Sequence, residues 1–267
     1  MVPQADSLGA IGVIRSLGNA GYKVFATSTE PDALGLLSNY CFSSTVSPNY
    51  NTEQYIEWLR SFIKDNNIKA IIPSEAILLA IEPYFEEFSS LLPISTNKKV
   101  VYDCFCKVDV FDSFFNSDDK VLKENIPFTD ILTDEKEPDW DKIANWPLPL
   151  YIKGDAFYSD TGMSAFVIPV HSIDEAKKEY NERKLHYKKL LIQGFFKGTK
   201  AAVNLFMKDG KLLAESMVYS PHENPYNGGL MSLRHTWWHE AMYQDAINRV
   251  QHLAWIGPAM FEYKYDP

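Results

Sequence analysis

The sequence predicts an α/β plus α+β fold in two parts, a parallel-sheet first hundred residues and an antiparallel-rich remainder. Three observations lead there. Apolar strand-like runs alternate with amphipathic helical stripes up to about residue 97, the pattern of crossover connections. An Asp209-Gly210 pair joins two long runs in the second half, the strongest short-range hairpin signal. A length of 267 residues also favours two cores over one.

Taken in order, residues 7–20 (SLGAIGVIRSLGNA) place Ile11, Ile14 and Leu17 on one stripe with Gly21 behind, a helix with a glycine stop. Residues 22–28 (YKVFATS) read as a buried strand, and 52–66 as a helix with Tyr55, Leu59 and Phe62 along one side. Residues 68–73 (IKAIIP) and 91–95 (LLPIS) read as strands flanking a helix over 76–88. Such alternation implies right-handed crossovers and a parallel sheet. A unit of this kind feeds its first helix from a strand, yet only MVPQAD precedes SLGAIG, with Val2 as that strand's last residue.

Residues 97–116 predict one long helix, and a polar linker over 133–145 (TDEKEPDWDKIAN) leads to Pro147 and Pro149. Residues 150–153 (LYIK) and 164–170 (SAFVIPV) then read as strands around a polar loop, and 172–182 as a helix opened by Ser172. A strand over 190–196 (LLIQGFF), the hairpin over 202–219, a helix over 240–253 and a closing strand complete the chain, with no internal repeat.

Composition excludes several classes. Hydrophobic residues make up 46% and charged residues 23%, the balance of a soluble globular protein. A net charge of −9 with no basic patch excludes a nucleic-acid surface, and the run KLHYKK at 184–189 reads as a solvated helix end. Cys41, Cys104 and Cys106 are odd in number and lack CxxC spacing, which argues against a disulfide framework or zinc and for a reducing cytosol. No apolar run nears the roughly 18 residues of a membrane span and no signal-peptide core is present, so a cytoplasmic location is expected. GxSxG, GxxxxGK[ST] and HExxH are absent, and Gly9, Gly12, Gly18 and Gly21 do not fit GxGxxG. His235 and His239 stand four apart and could share a helix face, but no third ligand is spaced for a metal.

Some residues could carry chemistry. Lys153 ends a strand and faces the loop 154–163 (GDAFYSDTGM), whose Ser159, Thr161 and Gly162 suit phosphate oxygens; an ordinary turn beside an exposed lysine fits the same pattern. Lys107 sits mid-helix, where a lysine commonly snorkels to solvent. Gln193, Phe195 and Phe196 could form an apolar slot with a polar rim for an adenine, or a plain core strand. Glu262 alternates with Phe261 and Tyr263 and so points to the opposite face, as a Mg²⁺ ligand or a charged edge would.

In sequence order, a helical lysine, NIPFT (125–129), strand–Lys153–loop–strand, LLIQGFFKG, the Asp-Gly hairpin, PYNGGLMSLR and LAWIGPAMFEYKYDP resemble the ATP-grasp superfamily. The likeness is to carboxylate–amine ligases of carbamoyl-phosphate-synthase-like architecture, and it covers essentially the whole chain. It implies a Rossmann-like preATP-grasp domain over 1–97 and an ATP-grasp domain over 98–267, with a small ATP-covering subdomain at about 128–196. By resemblance Lys107 and Lys153 match the lysines that contact ATP phosphates, and the loop with Ser159, Thr161 and Gly162 matches the mobile phosphate cover. Gln193, Phe195 and Phe196 match the adenine strand. Gly228, Gly229 and Arg234 fall where substrate and reacting phosphoryl oxygens are met, with Arg234 catalytic, and Glu262 matches the first acidic Mg²⁺ ligand.

Two departures stand out: Gly194 replaces an acidic residue, and the E-x-N-x-R strand that follows Glu262 in the family is not reached, so the resemblance implies a chain trimmed at both ends. The expected function is MgATP-dependent activation of a carboxylate as an acylphosphate for attack by an amine. A non-catalytic nucleotide-binding module is the alternative, and a nicotinamide-dependent oxidoreductase is disfavoured by the missing glycine pattern. The expected partners are small-molecule carboxylate and amine substrates, with no nucleic acid and no membrane; their identities and the oligomeric state are not legible.

Overall fold

Ser7 opens the first helix as a hydroxyl ahead of an apolar stripe should. Its oxygen accepts from the Ala10 N–H at 3.1 Å, and α1 runs over Leu8–Asn19. Gly21 ends the helix at φ +85°, a backbone that a side chain would strain. The structure is a computed structural model that describes residues 1–133, 137–159, 165–225 and 229–266. The chain divides into two compact units, Met1–Lys98 and Lys99–Pro267.

In the first unit β1 (Phe25–Ser28) pairs in parallel with β2 (Ser43–Val46), followed by α2 (Glu53–Asp65), α3 (Glu75–Ile81) and α4 (Phe85–Phe88). Val2 bridges Ala26 in parallel, so the residue expected to end a leading strand does lie beside β1. The runs at 68–73 and 91–95 are not strands. Ile71 N–H bonds the Leu91 carbonyl at 2.8 Å and Ile72 N–H that of Met1 at 3.0 Å, single rungs that never extend into a ladder. The helix expected over 76–88 is interrupted by a 3₁₀ turn over Glu82–Tyr84, because Pro83 offers no N–H to continue it. Ile14, Val24, Ala26, Tyr55, Leu59 and Ile77 are buried.

The single helix expected over 97–116 is two, α5 (Lys98–Phe105) and α6 (Lys107–Phe115). Cys106 between them has extended backbone (φ −104°, ψ 125°) and a fully buried side chain. Lys107 therefore opens a helix rather than sitting mid-helix. After β3 (Thr129–Thr133) and the short α7 (Trp140–Ile143) come β4 (Leu150–Gly154), β5 (Phe166–Val170), α8 (Ile173–Arg183) and β6 (Lys189–Gln193). The strands form an antiparallel sheet ordered β3–β6–β4–β5. Leu150, Ile152, Leu190 and Ile192 pack one face against Ala176 and Tyr180 of α8. Strand alternation sends Tyr151, Lys153, Leu191 and Gln193 to the other.

A second antiparallel sheet, ordered β10–β7–β8–β9, follows: β7 (Thr199–Lys208), β8 (Lys211–Asn224), β9 (Leu230–Thr236) and, after α9 (Glu240–His252), β10 (Gly257–Tyr265). Asp209 and Gly210 turn the β7–β8 hairpin at φ +50° and +72°, the two left-handed residues of a type I′ turn. Ala201, Val203, Leu205 and Met207 pack with Met242, Ala246 and Val250 of α9, while Lys200, Glu262 and Lys264 take the opposite face. His235 lies in β9 and His239 caps α9, so the two do not share a helix face.

Behind the second sheet lies a buried ionic cluster. Arg249 donates to both oxygens of Asp245 at 2.6 and 3.0 Å and to the carbonyls of Leu122 (3.1 Å) and Glu124 (2.8 Å); Tyr263 O–H donates to Asp245 at 2.8 Å. This cluster fixes α9 to β10 and to the chain entering β3.

Candidate functional site

Lys153 is held by its own sheet. It stands one residue before the end of β4 and donates to Gln193 Oε1 on β6; Gln193 Nε2 in turn donates to the Thr129 hydroxyl on β3 at 2.9 Å. Burial pushes the Lys153 ammonium down to about 8, the charges of Lys107 and Lys200 push the same way, and Asp155 and Glu262 oppose them. Charged groups from the second sheet, from α6 and from the segment just after β4 thus act on Lys153. Lys107, at the first position of α6, lies 3.7 Å from Asp155, whose other oxygen accepts from the Val108 N–H at 3.1 Å. The carboxylate therefore caps the helix that carries the lysine.

The segment after β4 is anchored at its base. Tyr158 O–H donates to Asp109, and Lys189 reaches both Asp109 (2.9 Å) and the Tyr158 oxygen (3.0 Å). Ser159 bridges Tyr187. Thr161 and Gly162 lie outside the described residues, as does Gly228.

Two cavities lie in the second unit. The larger, about 590 Å³, is lined by Phe128, Pro147, Phe195, Phe196, Lys123 and Asp266 among others. Gly194 N–H bonds the Phe128 carbonyl at 2.8 Å and Phe195 N–H that of Pro147 at 3.0 Å, which fixes this stretch as the cavity wall. A Cβ at Gly194 would meet those of Phe128 and Trp146 at 3.3 Å, so the stacked Phe128–Trp146 pair leaves little room for the acidic residue the resemblance implies. Gln193 does not line this cavity; its side chain accepts from Lys153 instead.

The smaller cavity, about 380 Å³, brings together three of the residues singled out in the sequence, Gly229, Arg234 and Glu262, with Lys200, Asn224 and Met231. Lys200 donates to the Gly229 carbonyl at 2.6 Å. Gly229 is required: a Cβ there would lie 2.0 Å from the Asn224 carbonyl carbon. Sequence reasoning missed Lys200 because the hairpin was begun at Ala202; alternation with the buried Ala201 and Val203 would have put it on the cleft face. Asp155 and Glu223 were also missed, since neither has a local pattern.

A metal fits one part of this site. Glu262 offers an exposed carboxylate on the wall it shares with Lys200, and a hard cation that draws its other ligands from phosphate oxygens and water suits that donor. Among the described residues no three His, Cys, Asp or Glu side chains gather around a metal-sized space. No described helix is long and apolar enough to cross a membrane.

The sequence matches no family model and no curated protein. Its fold does match solved structures. It is similar to D-alanine–D-alanine ligase from Bacillus anthracis (TM-score 0.62, 14% identity, 99% of this chain and 82% of that one). It is also similar to L-amino acid ligase from Bacillus licheniformis (0.66, 14%, 99% and 62%). A third match is the biotin carboxylase domain of 2-oxoglutarate carboxylase from Hydrogenobacter thermophilus, solved with MgADP, ADP and bicarbonate (0.63, 12%, 98% and 60%). The chain thus spans less than two thirds of the latter two. At these identities the likeness establishes the fold.

Proposed function

The chain has the ATP-grasp fold of carboxylate–amine ligases, and from that premise we propose that it uses MgATP to join a small carboxylate to an amine. What supports this is the set of charges acting on Lys153, from Lys107, Lys200, Asp155 and Glu262, together with an aromatic cavity lined by Phe195 and Phe196 and a second cavity lined by Arg234, Lys200 and Glu262. Lys107 and Lys153 bind phosphate oxygens, and Ser159, Thr161 and Gly162 are assigned to the same phosphates. Phe195 and Phe196 hold the adenine, with Gln193 orienting Lys153. Glu262 holds Mg²⁺, which when bound neutralises charge on the phosphates.

The reaction divides into two displacements. A carboxylate oxygen of the substrate, set among Gly228, Gly229 and Arg234, attacks the γ-phosphorus, and the bond to ADP breaks. The amine nitrogen then attacks the acyl carbon, phosphate leaves with the electron pair, and the nitrogen loses a proton. Arg234 and the lysines place positive charge where negative charge develops, so positioning and neutralisation supply the rate. The three unpaired cysteines and the soluble composition suit a cytoplasmic enzyme.

Calorimetric titration of MgATP, followed by a screen for ADP release with carboxylate and amine mixtures, tests the proposal. Micromolar binding and ADP release that needs both substrates are expected. No binding of MgATP would sink it; binding without release under any mixture would leave a nucleotide-binding module instead of an enzyme.

A further inference from the structure

Helix α6 starts where its own sequence supplies no start. Cys106 stands at the N-cap position in extended backbone, and its side chain makes no capping hydrogen bond. The first N–H groups of a helix have no partner inside it and need an acceptor from elsewhere. Here the acceptor comes from 47 residues further along the chain, where Asp155 Oδ2 takes the Val108 N–H at 3.1 Å. Both Val108 and Asp155 are buried, so water does not offer the N–H a substitute.

The rest of the first turn is held in the same way. Asp109 accepts from the Tyr158 O–H and from Lys189 Nζ, the latter at 2.9 Å. Asp155 and Tyr158, both in the segment leaving β4, thus grip two successive residues of α6. Gly154 sets the approach, since a Cβ there would run into the Phe166 ring of β5.

A lysine stands on each side of this contact. Lys153 lies two residues before Asp155, and Lys107 one residue before Val108. Asp155 Oδ1 is 3.7 Å from the Lys107 ammonium, whose side chain is 56% exposed. So open an ion pair holds little energy. Lys107 therefore stays free to meet an anion, and the bond to Val108 carries the placement. At Lys153, burial and then the charge of Lys107 lower the ammonium's pKa, and Asp155 is the first charge to oppose them. Asp155 also faces Cys106, whose thiol is raised by burial first and then by Asp155 and Asp109.

We infer that Asp155 is a positioning residue: by capping α6 from the end of β4 it fixes Lys107 relative to Lys153. The inference rests on the assignment of those two lysines to phosphate proposed above. As an anion Asp155 is itself no ligand for phosphate, and it acts through the two cations.

Two substitutions separate this role from a contribution to folding alone. Asp155→Asn keeps an oxygen for the Val108 N–H, whereas Asp155→Ala removes it. Losing one cap shifts a helix end by roughly tenfold, small beside the stability of a domain. Amide exchange followed by NMR reads the cap without any nucleotide. Val108 should exchange about tenfold faster in Asp155→Ala than in the unaltered protein, and at nearly the unaltered rate in Asp155→Asn. Calorimetry on the whole chain should show MgATP affinity falling about tenfold in Asp155→Ala and largely restored in Asp155→Asn, because affinity falls with the fraction of molecules whose site is arranged. Unchanged Val108 exchange in Asp155→Ala overturns the inference. So does an Asp155→Ala protein that unfolds more readily yet binds MgATP as tightly as the unaltered one, or an Asp155→Asn protein as impaired as Asp155→Ala. Failure of the unaltered protein to bind MgATP sinks the nucleotide site instead, and the exchange rates then decide alone whether Asp155 holds the helix of Lys107.

Discussion

The Lys153 ammonium and the Gln193 carboxamide are bonded to each other across two strands, and Gln193 passes the restraint on to Thr129. Three strands of one sheet therefore determine where a single positive charge sits. Replacing Lys153 by Ala should lower MgATP affinity at least tenfold, about 1.4 kcal/mol. Calorimetry reads this directly, and unchanged affinity would remove Lys153 from the phosphate site.

The same lysine should make stability pH-dependent. Its pKa falls from the usual 10.5 to about 8, with burial as the main cause and Lys107 and Lys200 adding repulsion. Below pH 8 the group is charged both folded and unfolded, and the penalty for burying the charge is fully present. Between about 8 and 10.5 the unfolded chain holds a proton the folded one has released, so stability rises with pH. The whole swing is about 3 kcal/mol at roughly 1.36 kcal/mol per unit. Urea unfolding of Lys153→Met should show a more stable protein at pH 7, with the advantage shrinking toward pH 10. Parallel pH curves for the two proteins would contradict the depressed pKa.

Glu262→Gln should weaken nucleotide binding more with Mg²⁺ than without it, because a carboxamide is a poor ligand for a hard cation. Titrations with ATP in Mg²⁺ and in EDTA decide this; equal losses would take Glu262 out of the metal site.

Asp245→Ala should destabilise by about 3 to 5 kcal/mol, since it strands the buried Arg249 guanidinium without its counter-charge. Chemical denaturation measures it. A loss below about 1 kcal/mol would mean that Arg249 finds another partner or reaches water.

Gly229→Ala should cost about 1 to 3 kcal/mol through forced displacement of the turn, because the added methyl would meet the backbone of Asn224 and Pro225. The displacement also breaks the Lys200 contact. A variant as stable as the parent, with unaltered nucleotide affinity, would show that the turn yields freely.

Much of the fold was legible where local chemistry decides it. Ser7, Gly21, Ser172 and the Asp209–Gly210 turn each act within four residues, and each does in space what its neighbours in sequence require. The runs at 68–73 and 91–95 were misread because apolar β-branched residues suit any buried extended chain, and whether a ladder forms depends on partners far away. The break at Cys106 was hidden because apolar spacing continues through it. β9 was not seen because LMSLRHT lies on a sheet edge and is exposed along nearly its whole length, without alternation. Among the candidate residues, the strand positions of Lys153 and Glu262 were readable, whereas the contacts of Asp155, Lys200 and Glu223 follow no local pattern.

On the proposed function, a nucleotide nearing this protein meets two fields of opposite sign. Far away it is repelled by a chain of net charge −9; inside the cleft Lys107, Lys153 and Lys200 draw it in. The Debye length is about 10 Å at 0.1 M salt, so electrolyte mutes the distant repulsion more than the close attraction. Moderate salt should therefore speed capture of ATP if the chain binds it as proposed, the reverse of what a cationic phosphate-binding surface shows, and stopped-flow association rates would register the protein's own acidity as a gate on the nucleotide.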